Sequence, residues 1–280
     1  MTSPAGASAP LPRAIAVDWS GAATRADRKI WLAECARDPT AAAGVRVLRP
    51  ESGRSREEVV AHLVDCVARD ANVVIGLDFS FSFPAWFLQA QGCRTAVDGW
   101  TLAAREGERW LAECPPPFWG RPGVRRPLLD GGRNEFRQTE RRVPAVGGVR
   151  PKSTLQVGGA GAVGTGAIRG MPWLRTLRDA GCAIWPFDAP RLPGAALVVE
   201  LYPRLLTGPV AKRRDEARIA ALREQHAALP HAIRRAAAAS EDAFDALCSA
   251  VGMARRAESF AKLAPATALP ELLEGEIWVP

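Results

Sequence analysis

Residues 73–84 read VVIGLDFSFSFP, a strand-type apolar run with Asp78 near its end, and this stretch decides the fold class. Two other apolar runs have the same form: AIAVDWSG contains Asp18, and ALVVELYPR contains Glu200. In each run a glycine, proline or serine follows within a few positions, which places the carboxylate at the carboxyl end of a strand. If the three strands are parallel neighbours, these ends share the edge at which open α/β sheets bind ligands. The sequence therefore predicts that the three carboxylates converge.

The order of the predicted elements favours an α/β fold, with a mixed central sheet and helices on both faces. Strands are predicted at 14–19, 29–35, 45–49, 72–79 and 195–202. Helices are predicted at 55–69, 98–113, 172–180 and 240–255, with a basic helical region at 211–239 that Pro230 interrupts. The first helix separates the third strand from the fourth, which implies a crossover that returns the fourth strand parallel to an earlier one.

The chain is predicted to form one domain over residues 14–280, behind a disordered leader at residues 1–13 that has no apolar secretory core. Regular patterns weaken at about residues 84–155, where tryptophans and arginines accumulate and Pro115–Pro117 break any helix. We interpret this segment as a basic insertion over the edge of the sheet. No run reaches the roughly 18 to 20 apolar residues that a membrane span needs.

Composition favours a cytoplasmic protein with an anionic partner. The six cysteines form no CxxC pair, so neither a disulfide framework nor a zinc site is predicted, and a reducing cytoplasm fits. The net charge of +7 favours nucleic acid or a nucleotide as partner, without choosing between them. The 37 basic residues include only four lysines, and arginine suits bidentate phosphate contacts. A biased overall composition explains the arginine content equally well.

A fourth acidic group opens the last long helix, SEDAFDALCSAVGMAR at residues 240–255. Asp242 and Asp245 are three residues apart and lie on one side of this helix. Ser240 can cap the helix and Asp242 can complement its positive end, but this explains Asp245 less well. Several carboxylates at one place are costly to bury unless a cation neutralises them or some stay protonated. Convergent carboxylates are the usual way in which a protein holds catalytic Mg²⁺.

The ordered carboxylates resemble those of the RNase H-like nuclease fold, including the RuvC-type Holliday-junction resolvases: one on strand one, one on strand four and one or two on the last helix. The blocks VDWSGA, GLDFSFSFP, VGGAGAVGTG, VELYPR, DAFDAL and EGEIWVP are similar to those of the domain of unknown function 429 family, predicted RNase H-like nucleases. This resemblance covers the chain from its first predicted strand to the C-terminus. It implies that Asp18, Asp78 and Asp245 bind Mg²⁺ or Mn²⁺, with Asp242 or Glu200 in support.

The activity implied by the resemblance is two-metal hydrolysis of phosphodiester bonds in nucleic acid. One ion lowers the pKa of the attacking water and the other stabilises the leaving oxygen, at a separation of about 4 Å. The chain departs from RNase H proper on its first predicted helix, where Glu57, Glu58 and Asp65 offer no clear match for that enzyme's acidic ligand. Cleavage of RNA–DNA hybrids is therefore not implied.

Arginines of the predicted insertion are candidates for a nucleic-acid-binding surface, together with nearby tryptophans on which bases can stack. The candidates are Arg125, Arg126, Arg137, Arg141 and Arg142. The alternative is core packing for the tryptophans and a solvated basic loop for the arginines.

The glycine-rich run GGAGAVGTGAIRG contains candidate cofactor-binding positions at Gly159, Gly161 and Gly164. A flexible loop or a nest of backbone amides near phosphate explains this run better than a dinucleotide site does. A dinucleotide site needs a core strand before the glycines and an acidic residue about 20 positions after them, and neither is evident.

Two other functions stay open on the sequence. Sugar kinases and actin-like ATPases share the RNase H-like fold, so Asp18 and the glycine-rich run can be assigned to a Mg²⁺–nucleotide site in a phosphotransferase. A catalytically silent nucleic-acid-binding protein is the third possibility. It needs no metal, and its binding would weaken with salt.

Overall fold

The computed structural model describes residues 10–280, and a mixed sheet of seven strands forms its centre. The strands are β1 (Arg13–Asp18), β2 (Trp31–Arg37), β3 (Val45–Val47), β4 (Glu51–Ser52), β5 (Val73–Leu77), β6 (Ala183–Ile184) and β7 (Leu197–Glu200). Their order across the sheet is β3-β2-β1-β5-β7-β6, and β4 pairs with β2. β1, β5, β7 and β6 are parallel, whereas β2 runs antiparallel to β1, β3 and β4. The predicted parallel crossover and mixed α/β sheet are therefore confirmed.

The register aligns the carboxyl ends of three neighbouring strands. Val17 of β1 pairs with Leu77 of β5, and Leu77 pairs with Glu200 of β7. Asp18 follows Val17 as the last residue of β1, and Asp78 is the first residue after β5. All three carboxylates therefore lie at the same edge of the sheet.

Helices cover both faces of the sheet. One face packs against α1 (Arg56–Arg69), α3 (Ala96–Glu113) and α5 (Gly164–Asp179), and the other against α7 (Asp215–Gln225), α8 (His231–Ala238) and α9 (Glu241–Arg255). The shorter helices are α2 (Ala85–Ala90), α4 (Gln138–Arg142), α6 (Arg204–Thr207), α10 (Ala257–Phe260) and α11 (Glu271–Glu274), with a 3₁₀ turn at Ala26–Arg28. The break at Pro230 between α7 and α8 is as predicted.

Strand alternation divides the buried side chains into two cores. Ile15 faces the core on the α1 side, whereas its neighbour Ala16 faces the core on the α9 side. Small residues on the second face let α9 approach the sheet closely. At Gly76 an added Cβ would lie 2.7 Å from Sδ of Met253 and 2.5 Å from a methyl carbon of Leu201. This glycine is therefore required by packing under α9.

The helix α5 begins at Gly164, eight residues before the predicted start at 172. Glycine has a weak helix propensity, which is why the sequence pattern places this segment in a loop. Close packing reverses that preference: an added Cβ at Gly164 would lie 2.3 Å from the carbonyl oxygen of Thr154, and one at Gly170 would lie 2.6 Å from the ring of Phe79. These glycines let α5 lie directly against its neighbours.

The segment 84–155 contributes α2, α3 and α4, and α3 packs against α5. Trp100 and Trp110 of α3 are buried in the core on the α1 side. Core packing, one of the two interpretations of these tryptophans, is thus confirmed.

Residues 1–9 of the predicted leader lie outside the described residues, and Arg13 already belongs to β1. Among residues 10–280, no helix combines the length and the apolar character that crossing a bilayer requires. All six cysteines are buried with free thiols.

Candidate active site

Asp18 and Asp78 are held side by side where β1 and β5 end. The backbone N–H of Asp78 donates to the carbonyl oxygen of Val17 at 3.0 Å, so the ladder continues one residue beyond β5. Strand alternation turns both side chains toward the α9 face, where Ala16 and Gly76 also lie. Asp18 is 8 % exposed and Asp78 is half-buried. Rigid backbone therefore supplies two adjacent carboxyls.

The helix α9 brings a third carboxyl to this edge, because it packs across β1 and β2. Asp245 is 6 % exposed, whereas Asp242, almost one turn earlier, is half-buried. Ser240 accepts a hydrogen bond from the N–H of Ala243 at 3.0 Å, which confirms its capping role. Asp242 lies in the first turn, where the helix dipole favours an acidic side chain.

Burial and neighbouring charges raise the pKa values of these carboxyls. Burial, and then the charges of Asp78 and Asp245, raise the pKa of Asp18 well above its ordinary range. Burial and the charge of Asp245 raise the pKa of Asp78 to about 7. Burial raises the pKa of Asp245 to about 6, although Lys212 opposes this rise. Asp18, Asp78 and Asp245 are therefore electrostatically coupled, and we refer to them as the acidic cluster.

Lys212 lies within the acidic cluster, a position that no sequence motif indicates. Its ammonium forms an ion pair with Oδ2 of Asp245. Burial lowers the pKa of Lys212, but the charges of the acidic cluster outweigh this effect and the net pKa is raised. The lysine therefore stays charged and compensates part of the negative charge. Its one distinguishing sign in the sequence is rarity, since the chain has only four lysines.

Glu200, predicted as a catalytic residue, is engaged in an ion pair. Both of its oxygens bind the guanidinium of Arg137, and Oε2 also accepts the N–H of Phe81 at 2.8 Å. Glu200 is 2 % exposed and Arg137 is fully buried. The guanidinium neutralises this carboxylate, but Glu200 also lines the adjacent cleft, so its catalytic role stays a prediction. In the acidic cluster, by contrast, Oδ1 of Asp245 is buried without a hydrogen-bond partner.

The ion pair between Arg137 and Glu200 belongs to a network that holds the C-terminal segment against the edge of the sheet. Arg137 also binds Glu140 and the carbonyl oxygen of Glu274, each at 2.9 Å. The carboxylate of Glu274 accepts the N–H groups of Ala85 at 2.8 Å and Gln138 at 2.6 Å. The closing block EGEIWVP thus joins the starts of α2 and α4 to the site, and its role in the structure is to hold these elements together.

A cleft of about 380 Å³ opens beside the acidic cluster. Asp78 and Asp245 line it, whereas Asp18 flanks, with Asp245, a neighbouring crevice too narrow for a water molecule. Asp242 lines neither. Basic side chains also line the cleft: Arg150, Lys152, Arg204 and Lys212. The cleft therefore presents carboxyls and cations to the same ligand.

The five arginines predicted to bind nucleic acid lie outside the cleft lining. Arg137 is fully buried, which contradicts its predicted contact with nucleic acid. Arg126 pairs with buried Glu135, Arg142 pairs with Glu271, and Arg125 and Arg141 are exposed. A sequence run of arginines does not reveal which members are paired within the fold, because partners such as Glu200 and Glu271 come from distant parts of the chain.

Of the three candidate glycines, Gly161 lines the cleft, but Gly159 and Gly164 do not. Gly164 is instead packed against the backbone of Thr154. No core strand leads into these glycines within residues 10–280, so they do not form the βαβ unit of a dinucleotide site. The start of α5 nevertheless reaches the cleft at Thr165.

The loop that follows β1 is fixed by arginines from two helices. Arg56 of α1 donates to the carbonyl oxygen of Ser20 at 2.8 Å, and Arg169 of α5 donates to that of Gly21. An added Cβ at Gly21 would lie 2.4 Å from the backbone nitrogen of Gly166, so glycine is required for this contact. The conformation of this loop holds the first carboxyl of the acidic cluster in place.

The acidic cluster fits a divalent cation in the kind of donor it offers. Oδ1 of Asp245 is buried without a hydrogen-bond partner, and carboxylate oxygens are the ligands that Mg²⁺ and Mn²⁺ prefer. Within the described part of the chain, no three acidic, histidine or cysteine side chains are grouped as a ready metal cage. Lys212 occupies the other oxygen of Asp245. These carboxylate oxygens therefore suit a divalent metal ion, but in this structure the cation beside Asp245 is Lys212.

Removing the buried guanidinium should destabilise the protein strongly. Arg137→Met leaves Glu200 and Glu140 without their cation, and we expect a loss of about 3 to 5 kcal/mol in the free energy of unfolding. Arg109→Met is the matched control, because Arg109 forms only exposed pairs on α3 and should cost at most about 1 kcal/mol. Urea unfolding measures both, and equal losses would contradict the structural role of the Glu200 pair.

The raised pKa of Asp78 predicts a pH-dependent stability in the metal-free protein. Folding raises this pKa from about 3.9 to about 7, so between these values the folded state holds a proton that the unfolded chain has lost. The contribution of protonated Asp78 to the free energy of unfolding is therefore full below pH 4 and is lost as the pH rises through 7.

Asp78→Asn removes this titration. With EDTA present, the variant should gain stability relative to wild type as pH rises from 4 to 8, by on the order of 2 kcal/mol. Urea unfolding at each pH measures the difference, with Asp65→Asn, an exposed position on α1, as control. Parallel curves for wild type and Asp78→Asn would contradict the electrostatic coupling.

Comparison with known proteins adds no assignment. No protein-family model, no curated protein and no solved structure matches the chain. The family resemblance carried by the sequence blocks therefore stays a prediction. Function has to be inferred from the cleft and the acidic cluster.

Proposed function

We propose that this protein is a metal-dependent hydrolase of phosphodiester bonds in nucleic acid, built on an RNase H-like fold. The observation that carries the proposal is the acidic cluster, which brings carboxyls from β1, the end of β5 and α9 to one edge. Burial raises the pKa of all three, Asp78 and Asp245 further raise that of Asp18, and Asp245 raises that of Asp78. Burying like charges together opposes folding, so such a cluster is better explained by a bound cation than by stability. Perturbed carboxyls at a cleft are a common mark of a functional site.

The chain order of these carboxyls supports the RNase H-like scaffold. They come from the first strand, from the parallel strand that follows the first long helix, and from the last long helix. This is the order that the family resemblance implies. The antiparallel pairing of β1 with β2, beside the parallel pairing of β1 with β5, is consistent with the same architecture.

The charges of the cleft support a phosphate-containing substrate. Arg150 and Lys152 are exposed in its lining, and Arg204 is anchored there by a hydrogen bond to the carbonyl oxygen of Val210 at 2.7 Å. A phosphodiester carries the negative charge that these side chains attract, and it places oxygens beside the acidic cluster. A neutral substrate would use neither feature.

Each part of the site then has a role in hydrolysis. Asp18, Asp78 and Asp245 would hold the divalent cation, which when bound supplies activation of the attacking water and stabilisation of the leaving oxygen. Arg150 and Lys152 would orient the phosphate. Arg56 and Arg169, which fix the loop after β1, would keep the carboxyl of Asp18 in position as the substrate binds.

Nucleotide phosphotransfer is the second candidate function. The cleft volume of about 380 Å³ falls within the range of small-molecule pockets, and the start of α5 reaches it at Thr165. A helix start can bind the phosphate of a nucleotide. Saturable binding of ATP distinguishes this candidate from the nuclease.

The test is cleavage of single-stranded and duplex DNA, RNA and RNA–DNA hybrids with Mn²⁺ present. Wild type should cleave at least one of these substrates, and Asp18→Asn and Asp78→Asn should lower the rate by on the order of 10²-fold or more. Asp65→Asn, an exposed change on α1, should leave the rate unaltered.

Equal rates for wild type and Asp18→Asn on every substrate would contradict the nuclease. In that case saturable ATP binding would support phosphotransfer. Metal-independent, salt-sensitive binding of nucleic acid that survives both substitutions would instead support a catalytically silent binding protein.

A further inference from the structure

We propose that Lys212 is a resident counter-ion of the acidic cluster, which a divalent cation must displace from Asp245 in order to bind there. This inference rests on the proposed metal-dependent function and adds a determinant of metal affinity. The ammonium of Lys212 pairs with Oδ2 of Asp245, the carboxyl whose other oxygen is buried without a partner. Lysine and metal would therefore compete for the same ligand.

The position of Lys212 is built into the fold. Its side chain is 18 % exposed and lies in the cleft lining. Buried Arg218 donates to the carbonyl oxygen of Lys212 at 2.5 Å and also to that of Ala238 at 2.9 Å, which ties the lysine backbone to the end of α8. The backbone is therefore anchored, while the long side chain keeps the freedom to leave Asp245.

Lys152 offers an internal comparison. It lines the same cleft, but it is exposed and forms no ion pair within residues 10–280. Two of the four lysines of an arginine-rich chain thus line one cleft, and one of them touches the acidic cluster. A compact ammonium on a flexible stem can leave a carboxylate more readily than a bidentate guanidinium can.

Lys212 and a divalent cation should exclude each other at Asp245, because both are positively charged. An ammonium that stays beside Asp245 would repel a divalent cation at contact distance, so both cannot occupy this carboxyl. Among residues 10–280, no three acidic, histidine or cysteine side chains are grouped closely enough to form a metal cage. Metal affinity would then be weaker than three carboxyls alone provide, and the site would load only where divalent cation is abundant.

The test is Mn²⁺ binding to the full-length protein, measured by titration calorimetry at pH 8 without substrate. Lys212→Met should bind Mn²⁺ at least about tenfold more tightly than wild type, because the competing charge is gone. Lys212→Arg keeps the charge and should bind Mn²⁺ no more tightly than wild type, and more weakly if the guanidinium holds Asp245 at two oxygens. Lys152→Met, which removes the comparison lysine, should stay within about threefold of wild type. Circular dichroism checks the fold, and Lys212→Gln replaces Lys212→Met if the latter does not fold.

The outcomes separate this inference from the proposed function. If wild type binds Mn²⁺ in a manner that Asp78→Asn abolishes, but Lys212→Met binds no tighter or more weakly, the counter-ion role is wrong and the metal site stands. If neither wild type nor Lys212→Met binds Mn²⁺, both the inference and the metal-dependent function are wrong. Tighter binding by Lys212→Met and Lys152→Met alike would point to general charge loss and would also overturn the specific role.

Discussion

Mutual repulsion among Asp18, Asp78 and Asp245 is the constraint on which the sheet edge depends. Each side chain is placed by a different element, and burial leaves water little room to screen the charges. Two things lower this cost in the structure: the raised pKa values of Asp18 and Asp78 favour their neutral forms, and Lys212 supplies one positive charge to Asp245. Neither removes the cost, because Oδ1 of Asp245 stays without a partner. A divalent cation would satisfy the remaining charge.

A second group of buried charges lies at the same edge and makes a useful contrast. Around Arg137 the carboxylate of Glu200 is bound at both oxygens, and Glu140 and the C-terminal segment complete the network. Charges that are paired in this way hold the structure together, because loss of one partner leaves an uncompensated buried charge. The acidic cluster is incompletely paired and opens on a cleft with basic walls, which is why we assign the chemistry there.

Strand periodicity predicted most of what positions the site. Alternation and the breaks after Asp18, Asp78 and Glu200 were sufficient to place three carboxylates at one edge, because parallel strands leave few other arrangements. Which of these carboxylates is paired with an arginine could not be predicted, because Arg137 and Glu200 are 63 residues apart in the sequence. The same holds for Lys212, whose contact with the acidic cluster depends on how α9 packs. The early start of α5 was missed because close contacts, rather than propensity, select its glycines.

The central claim is that Asp18, Asp78 and Asp245 jointly bind a divalent cation. A crystal structure of the protein grown with Mn²⁺ and measured at the manganese absorption edge tests it most directly. We predict an anomalous peak about 2.0 to 2.3 Å from oxygens of these carboxyls, with Lys212 moved away from Asp245. The account would be contradicted if anomalous peaks showed Mn²⁺ bound elsewhere on the surface, but none at the acidic cluster, and if the ion pair between Lys212 and Asp245 remained intact.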